Sequence, residues 1–204
     1  MCKKKARTSN GPRLFDLTED GDPTSFSVFL FYLRKESSME MELHLVFGPP
    51  AAGKTTYARE LAHRLGAVLL DSDEVTERLV RAGLALAGMN PDDRDSPAYK
   101  KAYRDAVYET LFDLGRSNLK HLPVVIAGPF TREGGEADWP ERLKKRRGIM
   151  PSFHYVWCPP SKRRERVMAR GEERDGSKLK DWENHVATCR EEPPVFPHQW
   201  VVTG

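Results

Sequence analysis

The residues best suited to chemistry form one glycine-rich stretch, residues 48–56, which reads Gly-Pro-Pro-Ala-Ala-Gly-Lys-Thr-Thr. It matches the pattern G-x-x-x-x-G-K-[ST]. Glycine at 48 and 53 permits backbone conformations in which successive N–H groups point at phosphate oxygens. Lys54 can reach the β- and γ-phosphates of a nucleotide, and the Thr55 hydroxyl can bind Mg²⁺. The stretch therefore predicts a phosphate-binding loop whose contacts come from Gly48, Ala51, Ala52, Gly53, Lys54, Thr55 and Thr56.

The elements that must position this loop alternate between strand and helix patterns. An apolar run at residues 43–47 precedes the loop, and a helical pattern that ends near Gly66 follows it. Further strands are predicted at residues 67–70, 122–127, 153–157 and 200–202. This alternation predicts an α/β, three-layer P-loop fold in which helices flank a five-stranded parallel sheet.

The helices between these strands are predicted from apolar residues spaced three or four apart. One helix follows residues 71–73 and has Val75, Leu79 and Val80 on its apolar face. Another starts at Ser96 and Pro97. Its apolar stripe runs to Leu114. The remaining predicted helices are a surface helix at residues 139–147, a basic helix from Ser161, and a helix whose apolar stripe is formed by Leu179, Trp182, Val186 and Cys189.

From about Met41 to its end, the chain resembles the small P-loop kinases grouped around zeta toxins, chloramphenicol phosphotransferase, polynucleotide kinases and gluconate kinases. Two motifs carry the resemblance: the loop at residues 48–56 and the strand end at residues 69–74, Leu-Leu-Asp-Ser-Asp-Glu. In such kinases an aspartate at the tip of the second strand faces the γ-phosphate, and the matching position is Asp73. A carboxylate there would orient an acceptor hydroxyl and accept its proton. Asp71 could hold a magnesium-bound water, while the alternative for Asp73 or Ser72 is a cap on the following helix, a role compatible with catalysis.

A basic segment after the fourth predicted strand supplies a second set of candidates. Arg163, Arg166, Arg170 and Arg174 recur at spacings of three and four, so on a continuing helix they would share one face. The resemblance implies a lid at about residues 161–180 that closes arginines over the transferring phosphoryl group, with Arg170 and Arg174 as the expected contacts. A solvated basic face is the alternative for each arginine.

The sequence lacks three features found in related enzymes, and their absence limits which activities it can have. The Asp-Ser-Asp triplet also resembles shikimate kinases, but these carry a glycine triplet after the third strand, where this chain has Ala-Gly-Pro-Phe at residues 127–130. The carboxylate often found at the end of this strand in P-loop enzymes is also absent. Polynucleotide kinases tend to carry an arginine three residues beyond the base, where this chain has Thr76.

Length, composition and charge exclude several classes of protein. The chain has 204 residues, 39% hydrophobic and 31% charged, with a net charge of +3. The apolar run at residues 26–33 is far shorter than the roughly 20 residues that cross a bilayer. Three cysteines without paired spacing favour a reducing cytoplasm over a disulfide framework or a zinc site. Residues 1–38 are predicted to be a poorly structured extension and residues 39–204 the kinase domain.

These observations predict an ATP- and Mg²⁺-dependent kinase that transfers the γ-phosphate to a hydroxyl of a small-molecule acceptor, with no membrane partner. The sequence argues against nucleic acid, because the net charge is small and the basic cluster at residues 141–147 lacks interleaved aromatic residues. It leaves the acceptor, the choice between ATP and GTP and the oligomeric state open. One alternative is a nucleotide-binding regulator with little transferase activity, suggested by the missing third-strand carboxylate. The other is a polynucleotide 5′-hydroxyl kinase, against which Thr76 counts.

Overall fold

Five short strands form the centre of the fold, and each coincides with one of the predicted apolar runs. In the computed structural model, which describes residues 41–94, 96–171, 175–189 and 191–204, the strands span β1 (Leu43–Phe47), β2 (Val68–Asp71), β3 (Val124–Ala127), β4 (Ser152–Trp157) and β5 (Gln199–Val202). They lie in the order β2-β3-β1-β4-β5, and every neighbouring pair is parallel. The predicted five-stranded parallel sheet is confirmed. The glycine-rich loop follows β1 and the Asp-Ser-Asp triplet follows β2, and only β3 lies between these two strands. Because the strands are parallel, both motifs lie at the carboxyl ends of the strands, on the same side of the sheet.

Seven α-helices in the described residues connect the strands. They are α1 (Lys54–Leu65), α2 (Ser72–Leu86), α3 (Pro97–Asn118), α4 (Trp139–Arg147), α5 (Pro160–Arg170), α6 (Gly176–Lys180) and α7 (Trp182–Thr188). Gly66 ends α1 in the left-handed conformation, as predicted. The Ser96 hydroxyl accepts a hydrogen bond from Tyr99 N at the start of α3, which confirms that helix start.

Two hydrophobic cores lie on opposite faces of the sheet. Leu43, Leu45 and Phe47 of β1 join one core, and Val46 joins the other, because alternate side chains of a strand point to opposite faces. Side chains from α2, α3 and α4 complete the first core, and side chains from α1 complete the second. The result is a three-layer α/β fold.

Two helical predictions are wrong in detail. Leu79 is 77% exposed, whereas Val80 is buried as predicted and Leu84, four residues further on, is buried with it. The predicted stripe at residues 179–189 is two short helices, because Asp181 adopts a non-helical conformation and its side chain caps Asn184 N. The predicted extension, residues 1–38, lies outside the described residues, and the proposed domain boundary remains a prediction.

Candidate active site

The glycine-rich loop joins β1 to α1 and has a backbone that side chains would disrupt. Gly48 has a φ of 145°, and a Cβ there would lie 2.1 Å from the Val156 carbonyl oxygen. Gly53, the N-cap of α1, has a φ of 92°, and Ala51 has a φ of 59° although it is not glycine. Left-handed backbone of this kind gathers at functional sites. The loop also meets the N-terminus of a 12-residue helix, whose partial positive charge favours a bound anion.

Lys54 bends back over the loop. Its Nζ donates a hydrogen bond to the Pro49 carbonyl oxygen at 2.9 Å. Desolvation lowers the pKa of Lys54 to about 8, partly opposed by the negative charges of Asp73 and Asp71, while the positive charge of Arg163 lowers it further. A phosphate beside this ammonium would favour its charged form.

Asp71 links the end of β2 to the loop. Its Oδ2 accepts a hydrogen bond from Thr55 Oγ1 at 2.8 Å, and its Oδ1 accepts one from Asp73 N at 3.0 Å. Asp71 is therefore the N-cap of α2, which corrects the expectation that Asp73 or Ser72 caps this helix. Asp71 is the cap because its own backbone is extended, while its side chain accepts a hydrogen bond from the Asp73 N–H in the first turn of the helix.

The Thr55 and Asp71 oxygens are the donor type that Mg²⁺ prefers, and they lie together beside the loop. Across the described residues, no cluster of three or more His, Cys, Asp and Glu side chains could hold a metal ion. Mg²⁺ commonly keeps several waters and shares substrate phosphates rather than occupying a cage of protein ligands. The residues present therefore fit a magnesium ion that is completed by a nucleotide.

Asp73 lies in the first turn of α2 and is exposed. Its charge acts on Lys54 across the site and also on Tyr99 of α3. Burial is the main cause that raises the pKa of Tyr99, and Asp73 raises it further. The Asp73 carboxylate is thus close enough to act on both Lys54 and Tyr99.

The arginines of the basic segment have separate environments. Helix α5 ends at Arg170, where Gly171 turns left-handed, so the shared helical face does not continue past that residue. Arg170 donates to Asp175 Oδ2 at 2.5 Å. Arg166 instead meets the loop, where its Nη1 lies 3.4 Å from the Ala51 carbonyl oxygen. Arg174 lies outside the described residues, and the roles predicted for both lid arginines remain predictions.

Thr203 is a loop contact that the sequence did not reveal. Its hydroxyl donates to the Ala52 carbonyl oxygen at 2.5 Å and accepts from Arg166 Nη1 at 3.0 Å. Its backbone N donates to the Trp157 carbonyl oxygen at 2.9 Å, which fixes it at the end of β4. Thr203 and Ala52 are 151 positions apart, so no local sequence pattern indicates their contact. The pairing of β5 with β4 brings Thr203 to the loop.

A shallow, open recess adjoins Gly48 at the ends of β1, β3 and β4. Its wall includes Phe130, whose φ of 39° is held by a hydrogen bond from its N to the Tyr108 hydroxyl at 3.3 Å. Below it, buried Glu133 accepts from Arg104 Nη2 at 2.7 Å. The lining residues are Phe47, Gly48, Pro129, Phe130, Thr131, Gly134 and Tyr155. The recess has room for about one water molecule.

The family follows from a comparison with known families. The family model AAA_33, described as an AAA domain, matches residues 43–191. The chain belongs to this family. The matched range includes the loop, the Asp-Ser-Asp triplet and α5, and it identifies the chain as one of the small P-loop kinases that it resembles.

Two curated relatives, both shikimate kinases, match part of the chain. A shikimate kinase of Paracidovorax citrulli (strain AAC00-1) is 36% identical over 50% of this chain and 52% of its own length. A shikimate kinase of Thermobifida fusca (strain YX) is 42% identical over 34% of this chain and 38% of its own. The chain thus spans about half, or less, of the curated relatives it matches.

Two solved structures share the fold. A proposed kinase from Chloroflexus aurantiacus j-10-fl superposes with a TM-score of 0.59 at 18% identity, covering 82% of this chain and 86% of that one. A sugar kinase from Janibacter sp. HTCC2649 superposes with a TM-score of 0.50 at 15% identity, covering 79% and 84%. In the described part of the chain, no helix has both the length and the apolar character to span a membrane.

Proposed function

We propose that this protein is an ATP- and Mg²⁺-dependent phosphotransferase that phosphorylates a hydroxyl group of a small molecule. The observation that supports the proposal most is the hydrogen bond from Thr55 of the loop to Asp71, which joins the two motifs, and the charge of nearby Asp73 also acts on Lys54. The curated relatives, which are shikimate kinases, support a small-molecule kinase. The sequence after β3 departs from those relatives, so the acceptor remains to be identified.

In this proposal the loop and Lys54 hold the β- and γ-phosphates, and Thr55 and Asp71 hold the magnesium ion. Mg²⁺ supplies neutralisation of the charge on the phosphate oxygens. The acceptor binds beside the loop, with its hydroxyl directed at the γ-phosphorus. Asp73 accepts the hydroxyl proton as the new oxygen–phosphorus bond forms, and the bond from the γ-phosphorus to the bridging oxygen breaks to leave ADP.

Two variants test the two halves of this proposal separately. Lys54→Ala should abolish nucleotide binding, because it removes the cation at the phosphates. Asp73→Asn should keep ATP affinity within about threefold but lower turnover by about 10²- to 10⁴-fold, because an amide cannot accept the proton. Both are measured by calorimetry and by coupled ADP release with shikimate and a panel of sugars as acceptors.

Glu74→Gln is the matched control, since Glu74 is the neighbouring exposed carboxylate and pairs with Arg59. It should leave both ATP affinity and turnover unchanged. Equal turnover in wild type and Asp73→Asn would remove Asp73 from the reaction. ATP binding without turnover on any acceptor would instead favour the nucleotide-binding regulator, suggested by Ala127 at the end of β3 where many P-loop enzymes carry a carboxylate.

A further inference from the structure

Two side chains from distant parts of the chain hold carbonyl groups of the phosphate-binding loop. Thr203, which follows β5, donates its hydroxyl to the Ala52 carbonyl oxygen at 2.5 Å. Arg166 of α5 donates Nη1 to the same hydroxyl at 3.0 Å and to the Ala51 carbonyl oxygen at 3.4 Å. Two consecutive carbonyl groups of the loop are therefore bound by one pair of side chains, here called the Arg166–Thr203 clamp.

The clamp is attached to the rest of the fold on both sides. The backbone N of Thr203 donates to the Trp157 carbonyl oxygen at 2.9 Å, at the end of β4. Arg166 lies next to Val167, a buried residue of α5. Side chains that extend from a sheet or a packed helix hold a site more precisely than side chains of loops do. The clamp can therefore fix the conformation of the loop.

The hydrogen bond from Thr203 sets the direction of one N–H group of the loop. In a trans peptide, the C=O of one residue and the N–H of the next point in opposite directions. Because the Ala52 carbonyl group points at Thr203, the Gly53 N–H points away from it. A Cβ at Gly53 would lie 3.3 Å from Arg166 Nη1 and 3.4 Å from Thr203 Oγ1, so the clamp also packs closely against this residue. Rotation of the peptide would break the bond to Thr203.

The backbone that the clamp holds is left-handed on both sides of Ala52. Ala51 has a φ of 59° and Gly53 a φ of 92°. A residue other than glycine adopts such a conformation at a cost in energy, and it persists only where surrounding contacts stabilise it. Arg166 binds the carbonyl group of Ala51 itself, and Thr203 binds the carbonyl group that follows. The clamp thus supplies contacts that stabilise the left-handed turn.

We propose that Arg166 and Thr203 are positioning residues that keep the Gly53 N–H directed at the β-phosphate of a bound nucleotide. This inference rests on the proposed function, in which the backbone N–H groups of the loop bind the phosphates. The two side chains act through the peptide between Ala52 and Gly53, and they do not touch the nucleotide. Arg166 therefore differs from an arginine of the predicted lid, because its ligands are a carbonyl group and a hydroxyl of the protein.

The test measures the dissociation constant of ADP with Mg²⁺ by calorimetry. Thr203→Val replaces the hydroxyl with a methyl group of similar size and should lose about three- to tenfold in affinity, which corresponds to one hydrogen bond. Thr203→Ser keeps the hydroxyl and should bind as the wild type does. Arg166→Met should lose affinity to a similar extent. The double variant should lose no more than the weaker-binding single variant, because both residues hold the same part of the loop.

Nuclear magnetic resonance of ¹⁵N-labelled protein provides a readout that a loss of stability would not change. The Gly53 amide proton should move downfield when the wild type is saturated with ADP and Mg²⁺, because it donates to a phosphate oxygen. At saturation it should move less in Thr203→Val and as far as in the wild type in Thr203→Ser. An equal downfield shift in the wild type and Thr203→Val would overturn the inference.

Thr110→Val is the matched control, since the exposed Thr110 hydroxyl also donates to a backbone carbonyl oxygen, that of Ala106 at 2.8 Å. It should bind ADP as the wild type does. Wild-type affinity in Thr203→Val, or equal losses in Thr203→Val and Thr203→Ser, would overturn the inference. A loss confined to Arg166→Met would also overturn it, because Arg166 would then bind the nucleotide directly. A wild-type protein that does not bind ADP would overturn the proposed function, and this inference with it.

Discussion

Proton uptake by Lys54 should make nucleotide binding weaken with rising pH. The pKa of this lysine is lowered to about 8 by desolvation, so it loses its proton near pH 8 in the free protein. A bound phosphate stabilises the ammonium and restores a pKa above that range. Binding then requires protonated Lys54, and the dissociation constant for ATP should rise about tenfold between pH 7 and pH 9. A lysine with its ordinary pKa would change the constant by only a few per cent over the same interval.

Calorimetry in buffers of different ionisation enthalpy measures this directly. It should detect uptake of about half a proton per ATP bound at pH 8 and about 0.9 at pH 9. Lys54→Arg keeps a permanent charge and should bind with no pH dependence in this range. Cys189→Ser serves as a control, because the nearby thiol also titrates at alkaline pH, although burial raises its pKa. A constant affinity from pH 7 to 9, or the same slope in Lys54→Arg, would contradict the assignment.

Three further predictions follow from the described contacts. His154 donates or accepts hydrogen bonds with His44 and Tyr57, at 3.0 and 2.9 Å, and burial, with the charge of His44, lowers its pKa to about 4. The unfolded chain therefore binds more protons than the folded chain below pH 6.5, so the free energy of unfolding in urea should fall by about 2 to 3 kcal/mol on acidification towards pH 4. The fall should be smaller in His154→Gln, and an equal fall in both proteins would contradict this prediction. Gly48→Ala should abolish ATP binding, because the added Cβ would meet a carbonyl oxygen at 2.1 Å; wild-type affinity by calorimetry would refute this. Asp71→Ala should lower the unfolding free energy by about 1 kcal/mol through loss of the cap, whereas Asp71→Asn should keep most stability but weaken Mg²⁺-dependent ATP binding; equal effects would argue against a metal role.

The elements of the fold were predictable because their signals are local. A run of apolar residues bounded by glycine or proline specifies each strand, and Ser96 specifies the start of α3 by capping it. Helical periodicity predicted burial less reliably for residues at the margin of a helix's apolar stripe. Leu79 lies one position from buried Val80, and a turn of about 100° per residue is enough to expose it.

The phosphate loop was predictable from sequence, whereas the contacts that complete the site were not. Thr203 reaches Ala52 only because β5 closes the sheet beside β4. Arg163 lies within a run of charged residues typical of a solvated face, yet it is fully buried and pairs with Glu191, 28 positions away. Asp71, which the pattern predicted as a magnesium ligand and not as the cap, has geometry compatible with both roles.

The most direct test of the central proposal is phosphorus NMR of the reaction mixture. Wild type and Asp73→Asn are incubated with Mg²⁺ and ATP and a pool of shikimate, sugars, antibiotics and 5′-hydroxyl oligonucleotides. The proposal predicts a new phosphate-ester resonance, matched by ADP formation, in the wild-type sample and its near absence in Asp73→Asn. An ester of equal intensity in both samples would contradict the role of Asp73. ATP that binds yet yields no ester with any acceptor would contradict the assignment as a small-molecule kinase.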